Sequence, residues 1–330
     1  MIAMSQLDAG VRTLEPGRSQ AAPSNIHGVL IVDKPEGLSS FQTTQRVARM
    51  LSLSKAGHCG TLDPFATGVL VLGVNQGTRI VDQLTLQDKV YIVTVRLGVE
   101  TDTLDRTGQV LASYDGPPIG AQACENAMGR FSGAFEQEVP RFSAVQVGGR
   151  RLYDLARRGI EVTPPRRVVH IESMDLLAYE WPLATLRVRC GKGTYIRQLA
   201  ADIGREMGCG AHVHSLRRTA SGPFTEETAL SLDRIGELKM EGEWARKVVP
   251  LADALAHLPR ICLEDEGLLR RLRNGDLDRA WQKEQLRWIP EGRSPVCLLT
   301  PRMQLAALWW PEAAEGAERR LRVFPFHWNG

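Results

Sequence analysis

The sequence predicts an α+β fold with a mixed, largely antiparallel sheet flanked by helices. Candidate strands and helices occur in irregular order along the 330 residues, without the repeated strand–helix–strand order of a parallel α/β fold. Apolar residues fall at every second position in Val93, Val95 and Leu97, whereas after Thr194 they follow helical spacing. The composition, with 43% hydrophobic and 24% charged residues, is ordinary for a soluble globular protein.

Local signals place the individual elements in chain order. The apolar run 28–32 predicts a strand, and the segment 33–37 that follows it predicts a turn. Ser39 or Ser40 is suited to cap a helix that ends near Leu51, and Thr194 is suited to cap another. We expect further strands at 69–74, 90–97, 167–178 and 183–190, and further helices at 122–131 and 150–159.

The chain divides into three predicted units. Residues 1–26 show no periodicity, which is typical of a flexible N-terminal tail. Residues 27–247 contain most of the predicted strands and helices and form the main domain. A smaller α+β unit is expected over 248–330.

Several classes of protein are excluded by composition. No apolar run approaches the roughly 18 residues that a membrane-spanning helix needs, and the N-terminus lacks a secretory signal pattern. The six cysteines include no C-x-x-C pair and no framework spacing, which indicates reduced thiols. We therefore expect a cytoplasmic protein with no membrane partner.

Basic residues are concentrated in one segment. Residues 141–218 contain 14 Lys and Arg against seven acidic residues, whereas the whole chain has a net charge of only +3. This concentration suggests a polyanionic partner. The alternative is that some of these arginines pair with acidic residues elsewhere in the protein.

Two tempting motifs fail. Gly191-Lys192 resembles part of a phosphate-binding loop, but Gly193 replaces the required Ser or Thr. Cys209, His212 and His214 are candidate zinc ligands, yet the histidines fall in a predicted strand and the sequence nearby offers no fourth ligand. We therefore predict neither a metal site nor a cofactor.

Asp63 is the strongest catalytic candidate. It lies in a loop restricted by Gly60 and Pro64, directly before the apolar run 69–74. A carboxylate on a stiff loop beside a buried strand is a common catalytic arrangement. Taken alone, an Asp before Pro more often caps a turn. Two further candidates also have ordinary alternatives: Tyr91 as a core tyrosine on a strand, and Arg197 as a solvated residue.

A set of motifs closely resembles the TruB family of tRNA pseudouridine synthases. The segment 57–68 matches G-H-x-G-x-L-D-P-x-A-T-G, in which the family's catalytic residue is the Asp. The remaining matches are 33–40 with D-K-P-x-G-x-[ST]-S, 89–91 with K-x-Y, 98–105 with G-x-x-T-D-T-x-D, 149–159 with G-x-x-L-Y-x-x-A-R-x-G, 192–197 with K-G-T-Y-I-R, and 216–219 with L-R-R-T. The resemblance covers 28–224, and more weakly the last 80 or so residues resemble a PUA-type RNA-binding unit.

The resemblance implies a pseudouridine synthase fold and assigns roles to residues. Asp63 is then the catalytic carboxylate, Arg197 pairs with it and keeps it ionised, and Tyr91 stacks on the uracil. His58 is similar to the residue that helps fill the space vacated by the flipped base. We further expect substrate contacts from Lys34, Arg79, Arg150, Arg157, Tyr195, Leu216 and Arg217.

The implied activity is formation of pseudouridine at position 55 in the T-loop of tRNA, with the T-arm as partner and no obligate protein partner. A monomer is expected. The alternatives are a guide-RNA-dependent synthase of the dyskerin type and a non-catalytic tRNA-folding chaperone. The 152–159 segment favours a stand-alone tRNA pseudouridine synthase over the guide-RNA-dependent one. The intact Asp63, Tyr91 and Arg197 argue against the chaperone. The chain departs from the family at Val139, Phe142 and Gln146, which replace Pro, Tyr and Lys.

Overall fold

A mixed sheet built from nine of the described strands forms the centre of the protein. The computed structural model describes residues 26–143, 145–160, 162–277, 281–282, 284, 294–311 and 321–326. The predicted tail, 1–26, lies outside these residues except for its last member. The strands are β1 Gly28–Lys34, β2 Ala56–His58, β3 Thr67–Val74, β4 Lys89–Leu97, β5 Val99–Thr101, β6 Val110–Ser113, β7 Gly133–Glu138, β8 Gln146–Val147, β9 Arg150–Arg151, β10 Arg166–Glu180, β11 Leu183–Cys190, β12 Ala211–Ser221, β13 Phe224–Thr225, β14 Arg260–Cys262, β15 Val296–Leu299, β16 Leu305–Trp309 and β17 Leu321–Val323.

Helices flank this sheet. They are α1 Ser40–Leu51, α2 Val81–Thr85, α3 Ala121–Gly129, α4 Leu152–Arg157, α5 Ile196–Glu206, α6 Leu232–Glu241, α7 Leu251–Ala254 and α8 Glu266–Arg273. Short 3-10 turns lie at Asn75–Arg79, Glu226–Thr228 and Trp244–Lys247. No helix in the described parts of the chain is both long and apolar enough to cross a membrane.

The sheet is mixed and largely antiparallel, as the sequence predicts. Its strand order is β1-β3-β12-β4-β11-β10-β7, with β2 beside β3 and β13 beside β12. β12 runs parallel to β3 and antiparallel to β4, so it joins the N-terminal strands to the rest. This placement brings the loop before β3 next to β4 and β12. The sheet therefore positions Asp63 close to two strands that are distant from it in sequence.

Local sequence explains where the flanking helices begin. Ser39 caps α1, and the Gln42 side chain binds back to the Ser39 backbone, which completes a capping box. On α5, Ile196, Leu199 and Ile203 pack against the sheet residues of the largest apolar cluster. The predicted cap of α5 is wrong. Its N-cap is Tyr195, without a side-chain cap, because the Thr194 hydroxyl donates to Gly191 O at 3.0 Å.

The predicted helix over 150–159 is also wrong at its start. Arg150 and Arg151 form β9, which pairs with β8, and the helix begins only at Leu152. Gly148 and Gly149 both have positive φ, 59° and 78°, as the tight turn of a two-residue hairpin requires. Arg150 and Arg157 therefore do not share one helical face.

The smaller C-terminal unit packs onto the main sheet. Strands β14 to β17 form a four-stranded sheet, and Leu299, Leu308 and Phe324 join the apolar cluster that contains Val29 and Val71. Just after the predicted boundary at 247/248, the Val249 backbone exchanges hydrogen bonds with Val29, both at 2.8 Å. The division at 248, and the PUA-like character of 248–330, stay predictions.

Gly68 on β3 lies directly against the backbone of Arg218 on β12. Its φ is +100°, and a Cβ there would lie 2.2 Å from the Arg218 carbonyl oxygen. Only glycine satisfies both the backbone conformation and the contact.

We expect Gly68→Ala to lower the free energy of unfolding by roughly 2 to 4 kcal/mol, because both the positive φ and the backbone clash act against it. Urea unfolding measures this change. Gly57→Ala is the matched control, because its Cβ would meet only Thr78 Cγ2 at 3.7 Å. Equal stability of the two variants would contradict the assigned contact.

Candidate active site

The Asp63 loop is held by backbone and side-chain hydrogen bonds from the N-terminal segment. The Ser40 hydroxyl accepts from Leu62 N at 2.8 Å and lies 3.0 Å from Leu62 O. Gly37 N donates to Pro64 O at 2.8 Å, and Ala66 N closes a turn on Asp63 O at 3.1 Å. The loop therefore presents Asp63 in a fixed position.

Asp63 forms a two-point ion pair with Arg197. Arg197 Nη2 donates to Asp63 Oδ1 at 3.0 Å, and Nε lies 2.8 Å from Oδ2. The Nε contact is a close ion pair and not an aligned hydrogen bond. The Arg197 side chain is 6% exposed and that of Asp63 is 32% exposed. A planar guanidinium therefore fixes the carboxylate from the protein side and leaves it reachable from outside.

The remaining nitrogen contacts of Arg197 bring in two other segments. Nη1 donates to Thr103 O at 2.9 Å, and Nη2 donates to Phe142 O at 3.0 Å. A second carboxylate, Asp105, places Oδ2 3.6 Å from Nη1. A buried guanidinium needs such acceptors, because an unpaired buried charge is costly.

Asp105 is a site residue that the sequence reasoning missed. It is buried, and its Oδ1 accepts from the Thr103 hydroxyl and the Thr107 backbone N, both at 2.9 Å, and from the Thr107 hydroxyl. The signal was present in the matched T-D-T-x-D segment, to which no role was assigned. Asp105 thus balances part of the Arg197 charge without touching Asp63.

Opposing effects act on the pKa of Asp63. Burial raises this pKa above its usual range, and the negative charge of Asp105 raises it further. Arg197, through its charge and hydrogen bonds, and then the charge of Lys34 lower it. The predicted direction of the Arg197 effect agrees with this balance. Desolvation is the largest single effect, so the pKa of Asp63 is raised overall.

Lys34, a predicted substrate contact, lies in the interior beneath the Asp63 loop. Its side chain is fully buried, and its ammonium donates to Ala66 O at 2.7 Å, Pro35 O at 2.8 Å and Pro64 O at 3.3 Å. Burial lowers the pKa of Lys34 to about 8, against the opposing charge of Asp63. Lys34 therefore acts on the Asp63 loop from beneath, as a positioning residue.

Tyr91 lies in the largest apolar cluster together with Leu62, Phe65 and Leu216. Burial raises the pKa of the Tyr91 hydroxyl, and the positive charge of Arg218 is the largest effect that opposes this shift. The structure thus brings two predicted site residues, Tyr91 and Leu216, together beside the loop that carries Asp63.

Arg217, a predicted substrate contact, and its neighbour Arg218 lie on opposite faces of β12. Arg218 is buried and donates to Val69 O at 2.7 Å and Gly60 O at 3.2 Å, so it supports both ends of the Asp63 loop. Arg217 points to the other face of β12 and pairs with Asp33 at 3.1 Å and with Glu226 at 2.7 Å. Alternation along a strand explains the difference, because neighbouring residues face opposite sides.

His58 lies at the end of β2, next to the loop. Burial, and secondarily the charge of Arg218, lowers its pKa, so the ring is neutral at neutral pH. Its buried Nδ1 has no hydrogen-bond partner among the described residues. The role of His58 toward the flipped base stays a prediction.

The other predicted substrate contacts lie apart from this cluster. Arg79 donates to Val323 O at 2.7 Å and stacks 4.7 Å from the Phe324 ring, which joins the C-terminal unit to the main domain. Tyr195 is held by Gln137 at 2.8 Å, with Arg167 over its ring. Arg150 is exposed on β9. The Arg157 side chain lies outside the described residues.

No three His, Cys, Asp or Glu side chains converge as metal ligands would within the part of the chain that the structure describes. Of the rejected zinc candidates, His212 places Nδ1 2.9 Å from Val99 O. The absence of a metal requirement stays a prediction.

The fold and the Asp63–Arg197 pair place this protein in the class of proteins with a pseudouridine synthase fold. The structure titled "Crystal Structure of a Cbf5-Nop10-Gar1 Complex" matches with a TM-score of 0.66 at 26% identity, over 90% of this chain and 82% of the matched one. A structure of an H/ACA RNP bound to a substrate RNA containing 2′-deoxyuridine matches with a TM-score of 0.65 at 24% identity, over 91% and 84%.

Family models and relatives specify the class further. Residues 48–196 match the TruB family pseudouridylate synthase N-terminal domain, and 197–256 match the tRNA pseudouridylate synthase B C-terminal domain. tRNA pseudouridine synthase B of Syntrophobacter fumaroxidans is 52% identical over 90% of this chain and 97% of its own length. The protein of that name from Geobacter sulfurreducens is 43% identical over 75% and 81%. The chain therefore belongs to the TruB family.

We expect Arg197→Gln to raise the pKa of Asp63 further, because the largest opposing effect on that pKa is removed. Carbon-13 NMR titration of the Asp63 carboxyl measures the midpoint directly. Because the pKa of Asp63 is raised in the folded state, the stability that this carboxyl group contributes is present at low pH. That stability is lost as the pH rises through the raised pKa. The stability lost on substitution should therefore be smaller in acid than at neutral pH.

Arg205→Gln is the control for this titration. It lies on the same helix and pairs with Asp202 at 2.9 Å, with its own side chain 69% exposed. If the titration midpoint of the Asp63 carboxyl is unchanged in Arg197→Gln, Arg197 does not lower the pKa of Asp63.

Proposed function

We propose that this protein converts uridine to pseudouridine at position 55 in the T-loop of tRNA. The observation that carries the proposal is the Asp63–Arg197 ion pair, set in the fixed loop of a TruB family chain. The names of the relatives support tRNA as the substrate.

The reaction is an isomerisation within one nucleotide. The N1–C1′ bond of uridine breaks, the uracil turns, C5 joins C1′, and the C5 proton is lost while N1 gains one. The electrons stay on the uracil, so the reaction consumes no oxidant or reductant. The Asp63 carboxylate supplies the reactive group, either as a nucleophile at the ribose or as a base.

The residues around Asp63 suit a flipped base. A nucleotide in a folded loop has to leave its stack to reach an enclosed carboxylate. Tyr91 provides a ring beside Leu216, and burial keeps its hydroxyl protonated at neutral pH. We assign stacking on the uracil to Tyr91 and the filling of the vacated space to His58.

A single subunit supplies every group that this scheme uses, so we propose a monomer that acts in the cytoplasm without an obligate protein partner. The solved structures with similar folds carry titles of ribonucleoprotein complexes, which keeps a guide-RNA-dependent synthase as the second candidate. The high identity, over most of the chain, to a protein named tRNA pseudouridine synthase B favours the synthase that acts on tRNA without a guide RNA. Assistance to tRNA folding is compatible with the same binding surface.

We expect Asp63→Asn to lower turnover by at least roughly a thousandfold while tRNA affinity stays within about tenfold. The amide keeps the shape of the carboxyl group but cannot act as nucleophile or base. Chemical mapping of pseudouridine in an unmodified tRNA transcript measures turnover without any guide RNA. The control is Asp253→Asn, an exposed carboxylate on α7.

Activity of the wild-type protein only in the presence of a guide RNA would favour the second candidate. Substantial turnover by Asp63→Asn would remove Asp63 from its role.

A groove of about 400 Å³ beside α4 is suited to the RNA backbone. Arg150 and Arg158 line it together with Gln146, Gly149, Asp154 and Leu155. Both arginines are exposed, and no ion pair of either is found among the described residues. Exposed, unpaired arginines favour phosphate contacts, which contribute affinity but do not read sequence.

Replacing Arg150 and Arg158 together with Ala should weaken tRNA binding and lower the slope of log affinity against log salt by roughly one to two. Turnover at saturating tRNA should change little, because the Asp63 loop is untouched. The control is Arg234→Ala with Arg246→Ala, since these arginines already pair with Glu237, Glu241 and Glu243. An unchanged salt slope would show that the RNA does not use the groove.

A further inference from the structure

Besides Arg197 Nε, two buried polar atoms in segments that border the candidate active site have no hydrogen-bond partner among the described residues. They are His58 Nδ1 and Ser143 Oγ. A buried hydroxyl left unpaired costs folding free energy, about 1 to 3 kcal/mol. His58 already has a predicted role toward the nucleotide, whereas Ser143 has none. The location of Ser143 therefore calls for an explanation.

Ser143 follows directly on a residue that contacts the catalytic pair. Arg197 Nη2 donates to Phe142 O and to Asp63 Oδ1, each at 3.0 Å. Both acceptors bind the same nitrogen, so Phe142 O lies no more than two hydrogen-bond lengths from the Asp63 carboxylate.

The backbone of Ser143 is fixed on its other side as well. Ser143 O accepts from Tyr153 N at 3.0 Å, and the Tyr153 ring meets the Phe142 ring edge-on at 6.3 Å between centroids. Ser143 is 6% exposed. Contacts to Arg197 and to Tyr153 thus hold the chain on both sides of the Ser143 side chain.

We propose that the Ser143 hydroxyl binds the flipped target uridine by a hydrogen bond. The inference rests on the proposed function, since it requires a nucleotide at Asp63. A hydroxyl both donates and accepts, and it reorients by rotation about one bond. This property suits a uracil that turns during the reaction, because a turn about its C6–N3 axis places O2 where O4 was. The partner is either O4 on the base edge or the 2′-hydroxyl of the ribose.

The first test compares Ser143→Ala with wild type in two measurements. The rate of a single turnover on tRNA should fall roughly three- to tenfold, the loss of one hydrogen bond. The melting temperature should stay equal or rise, because an unpaired buried hydroxyl has been removed. Ser113→Ala, on the exposed strand β6, should leave both unchanged.

A lower melting temperature in Ser143→Ala would assign the hydroxyl to packing and overturn the proposal, and an unchanged turnover rate would also overturn it. Failure of the proposed function itself is separate, since wild type and Ser113→Ala would then both leave the tRNA unmodified.

The second test identifies the group that is bound. In the Asp63→Asn background, tRNA affinity is measured with uridine, 2′-deoxyuridine or 4-thiouridine at the target position. A contact to the ribose predicts that Ser143→Ala costs nothing further with 2′-deoxyuridine. A contact to the base edge predicts the same with 4-thiouridine. Full, additive losses with both analogues would overturn the proposed contact.

Discussion

The buried charge of Arg197 is the constraint on which the rest of the site depends. A guanidinium removed from water has to be surrounded by acceptors, and here they come from three separate segments: the Asp63 loop, the Thr103–Asp105 turn and Phe142. The hydrogen-bonding needs of the Arg197 side chain thus bring these segments together at the N-terminal end of α5. The same contacts orient the Asp63 carboxylate and offset the effect of burial on its pKa.

Two further buried cations support the loop that carries Asp63. Lys34 and Arg218 both bind backbone carbonyls within the segment from Gly60 to Val69. Backbone carbonyls stabilise a cation without neutralising it, and the charge of Lys34 lowers the pKa of Asp63. One of the two residues that hold the loop therefore also favours the ionised carboxylate. Rigidity and electrostatics have the same structural origin here.

Binding and chemistry occupy different electrical environments in the scheme that we propose. The arginines beside α4 are exposed, so their contribution to RNA affinity is screened by salt. The Asp63–Arg197 pair is largely enclosed, where screening is weak. Ionic strength should accordingly affect how much tRNA is bound far more than how fast the bound uridine reacts. The short chain from Tyr153 through Ser143 to Phe142 connects the two regions.

The sequence by itself determined the fold class, most of the strands and, through the family resemblance, the pairing of Asp63 with Arg197. Tertiary structure decided which of Arg217 and Arg218 faces inward, that Lys34 is buried, that Arg79 binds the C-terminal unit, and that Asp105 joins the site. Strand and helix signals are local, whereas these outcomes depend on contacts between distant residues, 134 positions apart for Asp63 and Arg197. A charged residue has the same local signal in water and in the core, so only the packed fold distinguishes them.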